Sequence, residues 1–208
     1  TDTAKSPTHV YTTAGTYKVI LTITTANNCT DTISKIVEVM SMPKVNFSIN
    51  DAGQCLKTQD FQLQDLTKLK KGTLSTFWDF GDSTSSLNAN TTHSYVRIGN
   101  YRIKMVSTSD FGCKDSMNKQ VWVNPNAKPS FQINDTGQCE PNPLFVFQST
   151  SNIVKGNIVQ YIFNLGRNDI RNGFKQSKNY GYTGIETITL YTYSDSGCID
   201  STKRLIHI

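Results

Sequence analysis

Apolar and polar residues alternate along most of this chain, and no stretch shows a convincing helical period. In Tyr17-Lys-Val19-Ile-Leu21-Thr-Ile23, the residues Tyr17, Val19, Leu21 and Ile23 share one face of a strand, with Lys18 and Thr22 on the other. Tyr101-Arg-Ile103-Lys-Met105 has the same arrangement, and Ile188-Thr-Leu190 keeps part of it. Val45-Asn-Phe47-Ser-Ile49 and Phe131-Gln-Ile133 predict opening strands, followed by Phe61-Gln-Leu63 and Phe145-Val-Phe147. Thr76-Phe-Trp78-Asp-Phe80 and Tyr161-Ile-Phe163-Asn-Leu165 predict a central strand with a large aromatic, Trp78 or Phe163, buried at its middle. Asp110-Phe-Gly112 and Asp195-Ser-Gly197 predict tight hairpin turns that set Cys113 and Cys198 at the start of a last strand. About seven such strands per repeating stretch, bounded by Gly, Asn, Asp and Pro, predict an all-β chain of sandwich domains.

The stretch repeats. Tyr11, Tyr95 and Tyr180 mark successive copies, as do Cys29, Cys113 and Cys198, while Cys55 and Cys139 form a second matched set. The step is one whole domain, longer than a solenoid unit, so the chain is expected to be an array of modules. Residues 1–42 match only the second half of the unit, 44–124 form one complete unit and 128–208 another. The chain is therefore expected to be a piece of a longer protein, opening on a half-sandwich that exposes its core. Met40-Ser-Met-Pro43 and Val123-Asn-Pro125-Asn-Ala-Lys-Pro129 are short linkers containing proline, which restrict the freedom of neighbouring domains and suit a jointed rod.

Cysteine and charge narrow the setting. There is no Cys-x-x-Cys pair and no His close to a Cys, so zinc spacing is absent. Two cysteines at matched positions in each repeat predict one disulfide per domain, Cys55–Cys113 and Cys139–Cys198, in an oxidising extracellular setting. Cys29 would then pair upstream of this fragment. The net charge of +5, from 21 Lys and Arg against 16 Asp and Glu, is scattered singly. Its one cluster, Lys68-Leu-Lys70-Lys71, has no interleaved aromatics and reads as a solvated loop, so no nucleic-acid partner is expected. No run of about 18 apolar residues is present, so no direct membrane insertion is expected.

Trp78-Asp-Phe-Gly81-Asp82, followed by His93-Ser-Tyr95, Gly99-Asn-Tyr101 and Gly112-Cys113, resembles a PKD domain. The third repeat departs from the motif: Phe163-Asn-Leu-Gly166-Arg167 stands in its place, Lys178 replaces the His, and Glu186 replaces the second Tyr. The resemblance implies tandem Ig-like sandwiches serving as spacer, adhesive or carbohydrate-associated modules outside the cell. The two cysteines and the Gly-Cys-x-Asp ending are similar to surface repeats of the Bacteroidota, including large gliding adhesins and gliding-associated proteins exported by the type IX system. Under that resemblance the chain is expected to be a non-catalytic stalk segment of a cell-surface adhesin. Its partners would be neighbouring repeats of the same chain, surface glycans or other surface proteins. The alternative is an accessory spacer or carbohydrate-binding region of a secreted hydrolase.

Several residues invite a chemical role. His9 and His93 keep the repeat step but have no partnered nucleophile or metal in step with them, and His207 stands alone near the chain end, so no catalytic residue is assigned. Asp79 and Asp82 are hard oxygen ligands that suit calcium, but two carboxylates are few and the third repeat offers Asn164 and Arg167 instead; turn capping is the stronger reading and no cofactor is expected. Trp122, Tyr182 and Tyr193 are the aromatics available for a flat ligand surface. After each later cysteine comes Asp-Thr or Asp-Ser, at Asp31-Thr32, Asp115-Ser116 and Asp200-Ser201, similar to the motif that Bacteroidota O-glycosylate. Thr32, Ser116 and Ser201 are thus the candidate glycosylation positions. The sequons at Asn28, Asn46, Asn90 and Asn134 read as chance matches in a chain rich in Asn, Ser and Thr.

Overall fold

The computed structural model describes residues 2–138 and 144–208, and every element in them is a strand. In chain order these are β1 (Gly15–Thr24), β2 (Thr30–Val39), β3 (Phe47–Ile49), β4 (Gly53–Cys55), β5 (Phe61–Asp65), β6 (Leu74–Asp79), β7 (Ser85–Ser86), β8 (Thr91–His93), β9 (Gly99–Ser109) and β10 (Lys114–Asn124). The third repeat supplies β11 (Phe131–Ile133), β12 (Leu144–Ser149), β13 (Ile158–Asn164), β14 (Ile170–Asn172), β15 (Lys175–Asn179), β16 (Ile185–Ser194) and β17 (Ile199–His207). By contacts the chain divides into two compact units. One runs up to Asn50 with Gln62–Thr91 and Arg102–Lys119; the other is Asp51–Phe61, Thr92–Tyr101 and Gln120–Ile208.

In the first unit, β1 and β2 form a two-stranded antiparallel sheet with Gly15 opposite Val39 and Thr24 opposite Thr30. Val19, Leu21 and Ile23 all point to one face, as their spacing predicts, yet all three are exposed. Among the described residues no second sheet covers that face, and a two-stranded hairpin is marginal on its own. The Lys68–Lys71 loop is solvated, with Lys71 Nζ 2.6 Å from Glu38 at the end of the hairpin. β3 pairs with β5, and β6 pairs with both β7 and β9, all antiparallel. Trp78 is fully buried. Phe47 meets its ring edge-on at 5.0 Å, and its indole N–H donates to the Asn88 carbonyl at 2.8 Å. Burial of so large a ring is stabilising only because its single donor is satisfied.

The turn after β6 depends on Gly81, which sits at φ +78°, where a Cβ would lie 2.8 Å from the Arg102 carbonyl oxygen. Both backbone strain and collision oppose a side chain there. Gly81→Ala is expected to destabilise the chain by about 1–3 kcal/mol in chemical denaturation; an unchanged midpoint would mean the turn relaxes freely.

The second unit contains a complete sandwich. One sheet has the order β11-β12-β15 and the other β14-β13-β16-β17. Between them lie Phe131, Phe145, Phe147, Phe163, Leu165, Tyr180, Ile188, Leu190 and Ile206, all buried. The period-2 pattern accounts for this: in β12 the sequence Leu-Phe-Val-Phe sends both phenylalanines inward. In the same unit β4 pairs in parallel with the end of β10, setting Gly53 opposite Trp122 and Cys55 opposite Asn124.

Candidate linkage site

The motif residues form a rigid corner. His93 packs edge-on against Tyr95 at 4.5 Å, and Tyr95 stacks on Tyr101 at 3.8 Å. His9, Tyr11 and Tyr17 repeat the arrangement at 4.6 and 4.0 Å. The recurring histidines are thus ring partners of tyrosine, which explains why Lys178 can replace them: its ammonium lies over the Tyr180 ring at 4.6 Å. Glu186, in place of the second Tyr, accepts a hydrogen bond from Tyr182 at 2.7 Å, and the Arg167 guanidinium stacks over Tyr182.

The two aspartates of the motif cap backbone amides. Asp79 accepts from Gly81 N at 2.9 Å, and Asp82 accepts from Thr84 N at 3.1 Å. Asn164 accepts from Gly166 N at 3.1 Å, so an amide oxygen performs the role of the Asp79 carboxylate. Among the described residues no group of three His, Cys, Asp or Glu side chains converges.

The third repeat has a charged cluster that no spacing reveals. Arg171 grips Asp169 through two bonds of 2.8 Å, and Lys178 stands 3.0 Å from the same carboxylate. The Arg171 hydrogen bonds, with help from Lys178, hold the Asp169 carboxyl down at about 2. Tyr180 donates to the Leu165 carbonyl at 2.8 Å, and burial pushes its phenol upward. Asp169 is depressed in the folded chain, so its contribution is present above about pH 4 and is lost as pH falls towards 2. Tyr180 is raised, so its contribution is full below about pH 10 and is lost above that. Thermal unfolding scanned across pH is expected to show both limbs, with Asp169→Asn flattening chiefly the acid one, since the Asp169 charge is a minor contributor to the raised Tyr180 phenol beside its burial.

The cysteine corners recur with one geometry. Ser109 N donates to the Cys113 carbonyl at 2.9 Å, and Cys113 N donates to Ser109 Oγ at 3.1 Å. Ser194 and Cys198 make the same two bonds at 2.9 and 3.0 Å, and Thr25 and Cys29 make them at 2.9 and 3.2 Å. Gly112 and Gly197 sit at φ +80° and +79°, and Asn28 takes that left-handed position at +56° in the first repeat. After each corner the aspartate caps the next amide: Asp31 to Thr32 N, Asp115 to Ser116 N and Asp200 to Ser201 N, at 2.8 to 2.9 Å. Thr32, Ser116 and Ser201 are all exposed.

The disulfide, however, does not stay within a repeat. Cys55 is bonded to Cys198, with Cα atoms 5.6 Å apart and a sequence separation of 143. Cys113 and Cys29 carry free thiols, and Cys139 lies outside the described residues. Both expected intra-repeat pairings are thereby corrected, since Cys198 is already taken by Cys55. The reason is the length of β10. Cys113 immediately precedes its first residue, whereas Cys55 is in register with its last. An eleven-residue strand spans on the order of 36 Å, far beyond the Cα separation of about 4.4–6.8 Å that a disulfide tolerates. Polar bonds reinforce the linkage: Lys57 pairs with Asp200, Lys57 N donates to Asn126 Oδ1 at 3.1 Å, and Asn126 Nδ2 donates to the Ile199 carbonyl at 3.1 Å. Neither Lys57 nor Asn126 carries a repeat signal; only folding brings them here.

Of the aromatics available for a ligand, Trp122 is half-exposed beside an open cleft of about 450 Å³ that also involves Asn100, Pro125 and Lys155. Tyr182 and Tyr193 are partly covered.

The PKD domain family matches residues 41–123. The chain is 24% identical over 168 residues to the pre-pro-metalloprotease PrtV of Vibrio cholerae, covering 80% of this chain and 18% of that protein. It is 34% identical over 82 residues to the collagenase ColA of Clostridium perfringens, covering 39% of this chain and 7% of the collagenase. The chain thus spans under a fifth of these curated relatives. Among solved structures, the PKD1 domain of Vibrio anguillarum Epp matches 42% of this chain over 99% of its own length, at 25% identity and a TM-score of 0.37. The fold class is all-β, with PKD-type, Ig-like sandwiches in tandem.

Proposed function

We propose that the chain is a non-catalytic segment of an extracellular repeat array, working by length, stiffness and repeated display. The observation that carries this reading is the Cys55–Cys198 bond, which fastens one repeat to the next. A module that only folds needs no covalent tie to its neighbour; a load-bearing array gains from one. Such a bond also suits an oxidising compartment. The finer reading is a cell-surface adhesin stalk of the Bacteroidota gliding type, whose partners are neighbouring repeats and surface glycans. There Thr32, Ser116 and Ser201 would be O-glycosylated, and a glycopeptide map of native protein in which these residues are bare removes that part.

Single-molecule extension tests the mechanical reading. Pulled from its ends, the oxidised chain should withhold the segment between the bonded cysteines, whose sequence separation is 143. A reductant should then release about 50 nm of additional contour length, at roughly 3.3–3.6 Å per residue. Identical extension with and without reductant would overturn it.

A second reading, favoured by the similarity to PrtV and ColA, is an accessory spacer of a secreted hydrolase. Binding of the chain to fibrillar collagen or cell-wall polysaccharide, lost in Trp122→Ala, would support it over the stalk.

A further inference from the structure

We propose that the Cys113 corner is the attachment point for the cysteine loop of the repeat that precedes it, so that every repeat in such an array is covalently stapled to the next. The Cys55–Cys198 bond is then one rung of a ladder.

Each complete repeat has a donor loop and an acceptor corner. The donor loop is Asn50-Asp-Ala-Gly-Gln-Cys55, and Asn134-Asp-Thr-Gly-Gln-Cys139 repeats it. The two share their local bonds up to the glutamine. Asp51 accepts from Gly53 N at 3.0 Å, and Asp135 accepts from Gly137 N at 3.1 Å. Trp122 N donates to the Ala52 carbonyl at 2.7 Å, and His207 N donates to the Thr136 carbonyl at 2.9 Å, so Ala52 and Thr136 each lie beside the last strand of their own repeat. The acceptor corner is the turn that presents Cys198 to Cys55, and Cys113 is held by the same backbone and hydroxyl bonds.

A matching corner alone would not place a partner there; the linkers do. Val39 to Phe47 and Val123 to Phe131 are segments of equal length. Both are pinned by the same antiparallel bridge: Lys44 N donates to the Lys68 carbonyl at 2.8 Å, and Lys128 N donates to the Asn152 carbonyl at 2.7 Å. The linker that brings Cys55 to Cys198 therefore has a counterpart that brings the donor loop of a preceding repeat to Cys113. Asp115, the counterpart of the Asp200 that pairs with Lys57, stands beside it.

Bond formation consumes a disulfide oxidant such as oxidised glutathione. Two thiols lose their protons, one S–S bond forms between them, and the oxidant's S–S bond is reduced to two thiols.

The test duplicates the middle repeat inside the full chain, as residues 1–127 followed directly by 44–208, which preserves the linker. The first copy bears Ala52→Ser and Phe111→Tyr, so that each cysteine peptide reports its copy by mass. After folding in a glutathione redox buffer, a non-reducing peptide map should join the marked Cys55 peptide to the unmarked Cys113 peptide, and the unmarked Cys55 to Cys198. Alkylation of the second copy's Cys113 should fall at least about tenfold below that of the first copy's, whose thiol has no donor ahead of it. A marked Cys55 joined to a marked Cys113, or an alkylated second Cys113 while Cys55–Cys198 is intact, overturns the ladder. Should the duplicated chain fail to form Cys55–Cys198 as well, the same map of native protein decides. Cys113 linked to a Gly-Gln-Cys peptide of the repeat that precedes it supports the proposal, and a free Cys113 or a Cys113–Cys139 bond overturns it.

Discussion

Cys55→Ser is expected to lower the unfolding free energy of the oxidised chain by about 5 kcal/mol, because the bond to Cys198 closes a loop of 143 residues. In the chain-entropy account the closed loop restricts the unfolded chain, and the effect grows slowly with loop length. Cys55 is the better site to change, since it is only half-buried, whereas Cys198 is fully buried and any substitution there adds a packing cost of its own. Denaturant titration of oxidised, reduced and Cys55→Ser chains makes the comparison. Reduced parent and variant should coincide, both well below the oxidised parent. If the variant matches the oxidised parent, the bond is absent. A drop abolished instead by Cys113→Ser would point back to pairing within the repeat.

Trp78→Ala should cost about 3–5 kcal/mol, the range for emptying a fully buried large aromatic site. Two losses combine. The cavity removes the edge contact with Phe47, and the Asn88 carbonyl loses its indole donor. Trp78→Phe refills most of the space but leaves that carbonyl unmet, so its cost should be smaller, about 1–3 kcal/mol. Trp122, half-exposed and the other tryptophan of the chain, remains as a fluorescent reporter in both variants. A Trp78→Ala midpoint within error of the parent would show that this ring does not organise its core.

Much of the fold is legible in residue order. Phe61, Leu63, Ile103 and Met105 alternate with exposed neighbours and are buried as their spacing predicts. Trp78 and Phe163 lie at the centre of their cores, and the turns at Gly112 and Gly197 set a cysteine before the last strand. These are local facts: side-chain direction has period 2, and a left-handed turn position selects Gly or Asn. The His-x-Tyr and Gly-x-Tyr spacings likewise place rings close enough to stack with no reference to distant chain.

The cysteine linkage was not legible in the same way. Matched spacing shows that Cys55 and Cys113 belong to one repeat, but not that β10 carries them to opposite ends of a strand. Nor does it bring Lys57 to Asp200 or Asn126 to Ile199, contacts between residues remote in sequence. By itself the sequence determined an all-β array with its period, its inward faces, its turns and its motif rings, because each follows from the geometry of neighbouring residues. Only the tertiary structure decided which cysteines meet, because a disulfide depends on the distance between Cα atoms in space, and that distance is set by strand length and register.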